Sequence, residues 1–331
     1  MAVPRLMTCA LALVTLTACT ATVDGPTGGE PVVRGVAGAP GAEHTGEGTP
    51  DPSTGESGTP TSGTALTPDA YKSELAARQK AMKDALTSMM GARSVKSLDS
   101  RVERAEESLR GAADALAALT PPAEVQAQHQ GYVSSLREFS AQLGSALGKV
   151  GNRDVCTSGG VLTDMGGTLK SLDEAGEALA SAGDYPADVI TVKGGSKQNR
   201  RLRTGQFLRK ENLNGRSSLQ IDNGSSRDAV VTLMRGKTKA FSVYMRKKSK
   251  FKVRGVRDGS YKIFFTHGVD WDGKQRAFTR TCSFERFEKS VKFKTTYTST
   301  QILWHDWRIT LHAISGGNAP TDPVDPDDFP G

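Results

Sequence analysis

The 331-residue sequence lacks the short phrases that mark common enzyme chemistries. It holds no Gly-x-Ser-x-Gly, no His-Glu-x-x-His and no phosphate-binding glycine loop, so a serine hydrolase elbow, a zinc protease helix and a nucleotide site are all without their signatures. Repeating βα units are missing, which disfavours a solute-binding fold. Only five histidines are present. His267, His305 and His312 coexist with Asp270 and Asp306, but strand alternation puts His305 and His312 on opposite faces, and a nucleophile with its base is not evident. A hydrolase with an unrecognised site stays open as an alternative. No metal and no cofactor is implied. Long apolar runs are also scarce: the one near the start, residues 6–16, falls well short of the ~20 residues that span a bilayer. With four cysteines the chain has no dense disulfide framework.

What stands at the start is a basic residue, Arg5, an apolar stretch, and then Leu16-Thr17-Ala18-Cys19. This order reads as an export leader. The last four residues resemble the lipobox of bacterial lipoproteins, of the actinobacterial type. The resemblance implies cleavage after residue 18, a diacylglycerol on Cys19 and a chain held on the outer face of the cell membrane. An ordinary signal peptide and free secretion is the alternative. Residues 19–65 are rich in Gly, Pro, Thr and Ser, and such a tract buries too little apolar surface to fold, so it is expected to be a flexible tether.

Charge is unevenly spread. Residues 1–65 carry 2 basic and 6 acidic groups, residues 66–192 carry 13 and 17, and residues 193–331 carry 28 and 13. The last part alone is strongly basic, which favours polyanionic partners. Outside a cell these are lipid headgroups, anionic wall polymers or acidic proteins, and no nucleic acid is expected.

Residues 66–192 read as an antiparallel four-helix bundle. Thr67-Pro68 is a helix start. Tyr71, Leu75, Met82, Leu86 and Met89 share a face, and Gly91 ends the helix. Leu98, Val102, Ala105, Leu109, Ala112, Leu116 and Leu119 follow at alternating spacings of four and three, the mark of a packing seam. After Pro121-Pro122 a third helix carries Val125, His129, Tyr132, Leu136, Phe139, Leu143 and Leu147. A fourth carries Leu162, Met165, Leu169, Leu172 and Leu179. His129 is alone on its seam, with no Glu-x-x-His partner, and reads as a packing residue. Pro121-Pro122-Ala123-Glu124-Val125 through His129 is similar to a phrase found in helical actinobacterial lipoproteins.

Residues 193–216 read as a basic linker, with an added edge strand near Phe207-Leu208 as an option. From 217 to 318 the period changes from 3.6 to 2. Strands are expected over 217–222, 229–234, 240–246, 250–256, 260–266, 277–284, 290–296 and 302–314, with turns at Asn223-Gly224, Asp258-Gly259 and Asp272-Gly273. This predicts a second domain, an antiparallel β-sandwich. The run Phe251-Lys252-Val253-Arg254-Gly255-Val256 through Tyr261 resembles a hairpin of prealbumin-like sandwich domains. Elements around Asp270-Trp271-Asp272 and Trp307-x-Ile309-x-Leu311 resemble a bacterial β-domain of unknown function, which implies no catalytic residues. The overall expectation is α+β in two separate domains, closed by an acidic, Pro-rich and loose tail at 319–331.

Three features carry candidate chemistry. Arg246, Lys248, Lys250, Lys252 and Arg254 fall on one face of a strand, with neighbours ~6.6 Å apart, and Lys292 and Lys294 form a second row. This file of cations reads either as a ligand surface or as a guarded edge strand. Trp304 falls among polar residues on the outward face of the last strand, where it could stack a sugar; cover by a loop or by the helices is the alternative. In the loop 267–273, Asp270 and Asp272 match only part of a calcium loop, and a polar turn explains them. Cys156 and Cys282 could form one bridge. Against it, Cys282 shares a face with Phe278 and Phe284 and so points inward, away from a cysteine in a loop. The combined reading is a non-catalytic surface module for a polyanionic envelope component or an acidic protein, with a Trp304 carbohydrate module as the alternative.

Overall fold

The computed structural model describes residues 64–191, 194–312 and 319–330, all within one compact unit, Pro60–Gly331. Residues 1–63, which hold the expected leader, Cys19 and nearly all of the expected tether, lie outside the described residues, as do 192–193, 313–318 and 331. The architecture is α+β: five helices in the N-terminal part, then antiparallel sheets.

Capping chemistry sets the helix ends. The Thr67 hydroxyl accepts from the Ala70 amide at 3.3 Å and Pro68 opens α1 (Pro68–Met90). Ser94 and Ser97 cap each other at the start of α2 (Val95–Ala117). A short 3₁₀ turn leads into α3 (Gln126–Gly151). The expected fourth helix is two helices, α4 (Ser158–Asp164) and α5 (Gly166–Ser181), parted at Met165. A glycine pair, 166–167, follows that joint, and glycine is a weak helix former. The apolar seams meet in one core containing Leu75, Leu98, Leu109, Leu136, Phe139 and Leu172. After α5 the chain folds back, and Tyr185, Ala187 and Val189 complete the same core. No described helix is long and apolar enough to cross a membrane.

Among the described residues twelve strands follow: β1 (Gln206–Lys210), β2 (Ser217–Asn223), β3 (Asp228–Arg235), β4 (Thr238–Met245), β5 (Ser249–Val256), β6 (Gly259–Asp272), β7 (Ala277–Phe287), β8 (Val291–Phe293), β9 (Thr295–Tyr297), β10 (Ile302–Trp304), β11 (Trp307–Thr310) and β12 (Thr321–Pro323). The large sheet runs β1-β4-β3-β6-β7-β12, with β8 beside the start of β6. The small sheet runs β11-β2-β5, and β9 and β10 pair only with each other. One pairing departs from the antiparallel rule, since β11 runs parallel to β2. Side chains of both sheets meet in a common core: Leu219, Ile221, Val253 and Ile309 from the small one, Val231, Phe241, Ile263 and Phe265 from the large one. The opposite face of the large sheet carries Val230, Tyr244, Trp271 and Phe278, packed with Leu202 and Leu208.

Several expectations change here. The residues read as a linker are bound to the sheet. β1 adds an edge strand to β4. Arg200 grips Asp270 through its backbone amide, Nε and Nη2, each at 2.8 Å, and Arg201 holds Asp228 with two guanidinium nitrogens. Asp270 sits in a strand and not a loop: β6 runs on past a register shift between His267 and Val269, and Asp270, just beyond it, has a φ of 60°. The tail is not loose, because β12 pairs with β7, and Phe329 packs edge-on against Phe264 and Phe284. The long last strand is divided. β10 and β11 belong to different sheets, and Ile309 and Leu311 are buried while Leu303, His305 and Trp307 are exposed.

The helices and the large sheet are joined along β7. Residues 153–156, between α3 and α4, lie along β7: Cys156 N donates to Thr279 O at 2.8 Å, Thr281 N to Asp154 O at 3.1 Å and Cys282 N to Arg153 O at 3.0 Å. Cys156 and Cys282 are bonded there, with Cα atoms 6.4 Å apart. The face shared by Phe278, Cys282 and Phe284 does point inward, but toward the helical side of a sheet covered on both faces. A cysteine that points inward on that side therefore still meets one from the connector between α3 and α4. Gly160 is part of the seam, since a Cβ on it would meet Thr279 O at 2.9 Å.

Candidate functional site

Among the described residues, the exposed large apolar side chains are Tyr297, Ile302, Leu303, Trp304 and Trp307. All five belong to one feature, the β9–β10 hairpin and the first residue of β11. Trp304 is 48% exposed and Leu303 51%, so among the described residues no loop or helix covers the tryptophan. A two-stranded hairpin is marginal by itself, and this one is pinned at its base. The Asp258 carboxylate accepts from Thr295 N at 2.7 Å and Thr295 Oγ1 at 2.9 Å. Trp307 Nε1 donates to Lys292 O at 2.9 Å. At the tip, Gln301 N donates to Thr298 Oγ1 at 2.9 Å.

Next to the hairpin lies the outward face of the small sheet, with β5 at its edge. The register sets Ser218 opposite Arg254, Gln220 opposite Lys252 and Asp222 opposite Lys250, while Leu219 and Ile221 take the core side with Val253 and Phe251. Period-2 alternation is thus the whole reason that Lys250, Lys252 and Arg254 share an exposed face. The expected file of five is shorter than that. Lys248 precedes the strand in a turn with φ of 56°, its ammonium bonded to Gly224 O. Arg246 also precedes it, and its Nε donates to Leu202 O at 2.7 Å. The remaining cations are interleaved with carboxylates. Lys250 Nζ lies 3.2 Å from Asp222, which also meets Arg308 at 3.4 Å, and Lys252 Nζ lies 3.7 Å from Asp306. With Lys292 and Lys294, both exposed, the face and hairpin base present six cations against Asp222, Asp258 and Asp306.

The other candidates resolve individually. His129 is buried, and its Nδ1 pairs with the Tyr71 hydroxyl at 2.8 Å; burial lowers its pKa, partly opposed by a hydrogen bond involving the Leu116 backbone. His267 is buried with its Nε2 unpartnered, and burial, then the charges of Arg227 and His312, brings its pKa down to about 4. His305 Nδ1 lies 3.2 Å from Lys294 O, and His312 Nδ1 accepts from Gly224 N at 3.2 Å. Asp306 accepts from Ser218 N at 2.6 Å. Burial would raise the Asp270 carboxyl, but the hydrogen bonds from Arg200 and Thr279 and the Arg200 charge outweigh it and hold the pKa at about 2. These partners serve the fold, and no histidine of the three is hydrogen-bonded to Asp270 or Asp306 among the described residues. No group of three or more His, Cys, Asp or Glu there is placed to hold a metal ion.

Sequence reasoning missed the Arg200–Asp270 and Arg201–Asp228 pairs, whose partners stand 70 and 27 residues apart with no local pattern between them. Trp307 is exposed although Ile309 and Leu311, two and four residues on, are core residues. Compared with known proteins, the chain matches no protein-family model, no curated protein and no solved structure.

Proposed function

We propose that this is a non-catalytic binding protein of the cell envelope, anchored to the outer face of the membrane through lipid on Cys19. Its ligand is an anionic, sugar-containing envelope polymer, docked on the β9–β10 hairpin and the basic face of β5, β2 and β11. In this reading four of the helices form the expected bundle, and the two sheets a prealbumin-like sandwich that presents the hairpin. One observation carries the proposal: the exposed large apolar side chains of the described residues are gathered on one hairpin, beside a face with twice as many cations as carboxylates. Contiguous exposed apolar surface on a folded chain marks an interaction site. Aromatic rings supply flat area against sugar rings, and lysine and arginine meet phosphate or carboxylate. Ion pairs with Asp222 and Asp306 offset part of the charge of this face without removing its excess.

The test is retention of the purified chain on isolated wall polymer at low and high salt, with Trp304→Ala and Lys250→Ser/Lys252→Ser variants. Binding should weaken as salt rises, since the Debye length shrinks from about 10 Å at 0.1 M to about 3 Å at 1 M. Loss of a central aromatic anchor should cost about 2 kcal/mol or more, some thirtyfold in affinity. No retention at low salt, or full retention by Trp304→Ala, would remove the proposal. Salt-insensitive binding lost only in Trp304→Ala would favour a neutral glycan.

A further inference from the structure

Besides its exposed side chains, the β9–β10 hairpin has a free backbone edge. Among the described residues β9 and β10 pair only with each other, whereas a small sheet needs three or more strands to be stable in water. The register sets Ile302 opposite Tyr297, Leu303 opposite Thr296 and Trp304 opposite Thr295. In an antiparallel pair, hydrogen-bonded and non-hydrogen-bonded couples alternate. Thr295 N turns away from β10 to donate to Asp258 at 2.7 Å, and Thr298 N donates across the hairpin to Gln301 O at 2.9 Å. Thr295–Trp304 and Tyr297–Ile302 are therefore the non-hydrogen-bonded couples. The amides and carbonyls of Ile302 and Trp304 point outward along the edge of β10, and among the described residues nothing bonds them.

Edges that do not pair are blunted by charge or proline. The end strands of both larger sheets follow that rule: β1 carries Lys210, β12 Asp322 and Pro323, β5 Lys250 and Lys252, and β11 Arg308. The hairpin does not. Residues 295–304 contain no charge, no proline and no glycine, and threonine, isoleucine, tyrosine and tryptophan favour strands. Both faces of β10 are exposed, Ile302 and Trp304 on one and Leu303 on the other. An antiparallel pair of identical strands has a two-fold axis, so the edge is complementary to itself. Pairing the outward groups of Ile302 with those of Trp304 in another copy centres that axis on Leu303. The cations of this region stand on β5 and β11 and at the hairpin base, so the uncharged hairpin is where two basic molecules approach with least repulsion.

We propose that β10 pairs antiparallel with β10 of a second copy of this chain, joining two hairpins into one four-stranded sheet. The contact uses the backbone edge and does not depend on the polymer-binding reading, which uses the ring faces.

The test is sedimentation velocity and light scattering of the purified chain, without polymer, from micromolar to near-millimolar concentration. Two variants accompany it. Ile302→Pro removes an outward N–H and leaves the couples with β9 intact. Leu303→Lys, at an exposed position, sets two like charges face to face at the axis. Circular dichroism checks that both variants fold. The native chain should show a reversible monomer–dimer equilibrium, tighter at about 0.5 M than at about 0.1 M salt because screening relieves repulsion between the basic regions. Each variant should weaken it about tenfold or more, since a two-fold dimer carries each change twice. Amide exchange over 302–304 should slow on association. A monomer at every concentration, growth past the dimer, undiminished association of both folded variants, or a dimer with unchanged exchange over 302–304 would each overturn the assignment.

Discussion

Removing the Cys156–Cys282 bridge as Cys156→Ala/Cys282→Ala should produce a large loss of stability with little change in the native structure. The bond closes a loop across a sequence separation of 126 residues. In the chain-entropy account, a loop of that length restricts the unfolded ensemble by about 5 kcal/mol. The native side has little to lose, because three backbone hydrogen bonds, from Cys156, Thr281 and Cys282, still lay residues 153–156 along β7. A loss of that size is a third or more of the ~5–15 kcal/mol that stabilises a typical domain. The assay is urea unfolding of oxidised native protein and the variant, followed by far-ultraviolet circular dichroism, which the helices dominate, and by fluorescence of the three tryptophans, all in the sheet region. With a denaturant slope of about 3 kcal/mol/M, the midpoint should fall by roughly 1.5 M in both signals. A shift below about 0.3 M in both would refute the reasoning. Thiol titration of the unfolded native chain without reductant should find neither Cys156 nor Cys282 reactive.

Three further outcomes follow from the core and its buried charges. His267 has a folded pKa of about 4, below the unfolded value of about 6.5, so its contribution is full above pH 6.5 and is lost as pH falls toward 4. Acidification across that window should remove about 3 kcal/mol, with His129 adding in the same direction, and the urea midpoint of His267→Gln should be much flatter between pH 7 and 4.5. Asp270, held at about 2, stabilises above its unfolded pKa and loses that contribution as pH falls through 2. Asp270→Asn should therefore cost about 2 kcal/mol at pH 7 and close to nothing at pH 2, read as the difference between the two unfolding curves. Leu109→Ala, at a fully buried seam position of α2, should cost about 2–5 kcal/mol in the same urea assay.

Much of the fold was legible because it depends on neighbours in the chain. Thr67-Pro68 starts a helix, Gly91 ends it, and the four-three spacing from Leu98 to Leu116 buries one face, whatever the rest of the molecule does. Alternation likewise places Lys250, Lys252 and Arg254 together and sets Phe251 and Val253 opposite them. What alternation does not contain is the identity of the layer that each face meets. Cys282 points inward as its neighbours require, yet only the presence of helices on that side of the large sheet brings it to Cys156. The basic residues 200–201 carry no period, and their carboxylate partners arrive from distant strands. The run 302–311 reads as one strand because its alternation is unbroken, but backbone pairing divides it. Among the described residues β10 pairs only with β9 and β11 pairs with β2, and no layer covers Trp304 and Trp307 on either side of the break. Local sequence thus determined most of the elements, their faces and the basic character of the sheet region. The tertiary structure decided which faces are covered, because burial is a property of the whole packing and not of any segment in it.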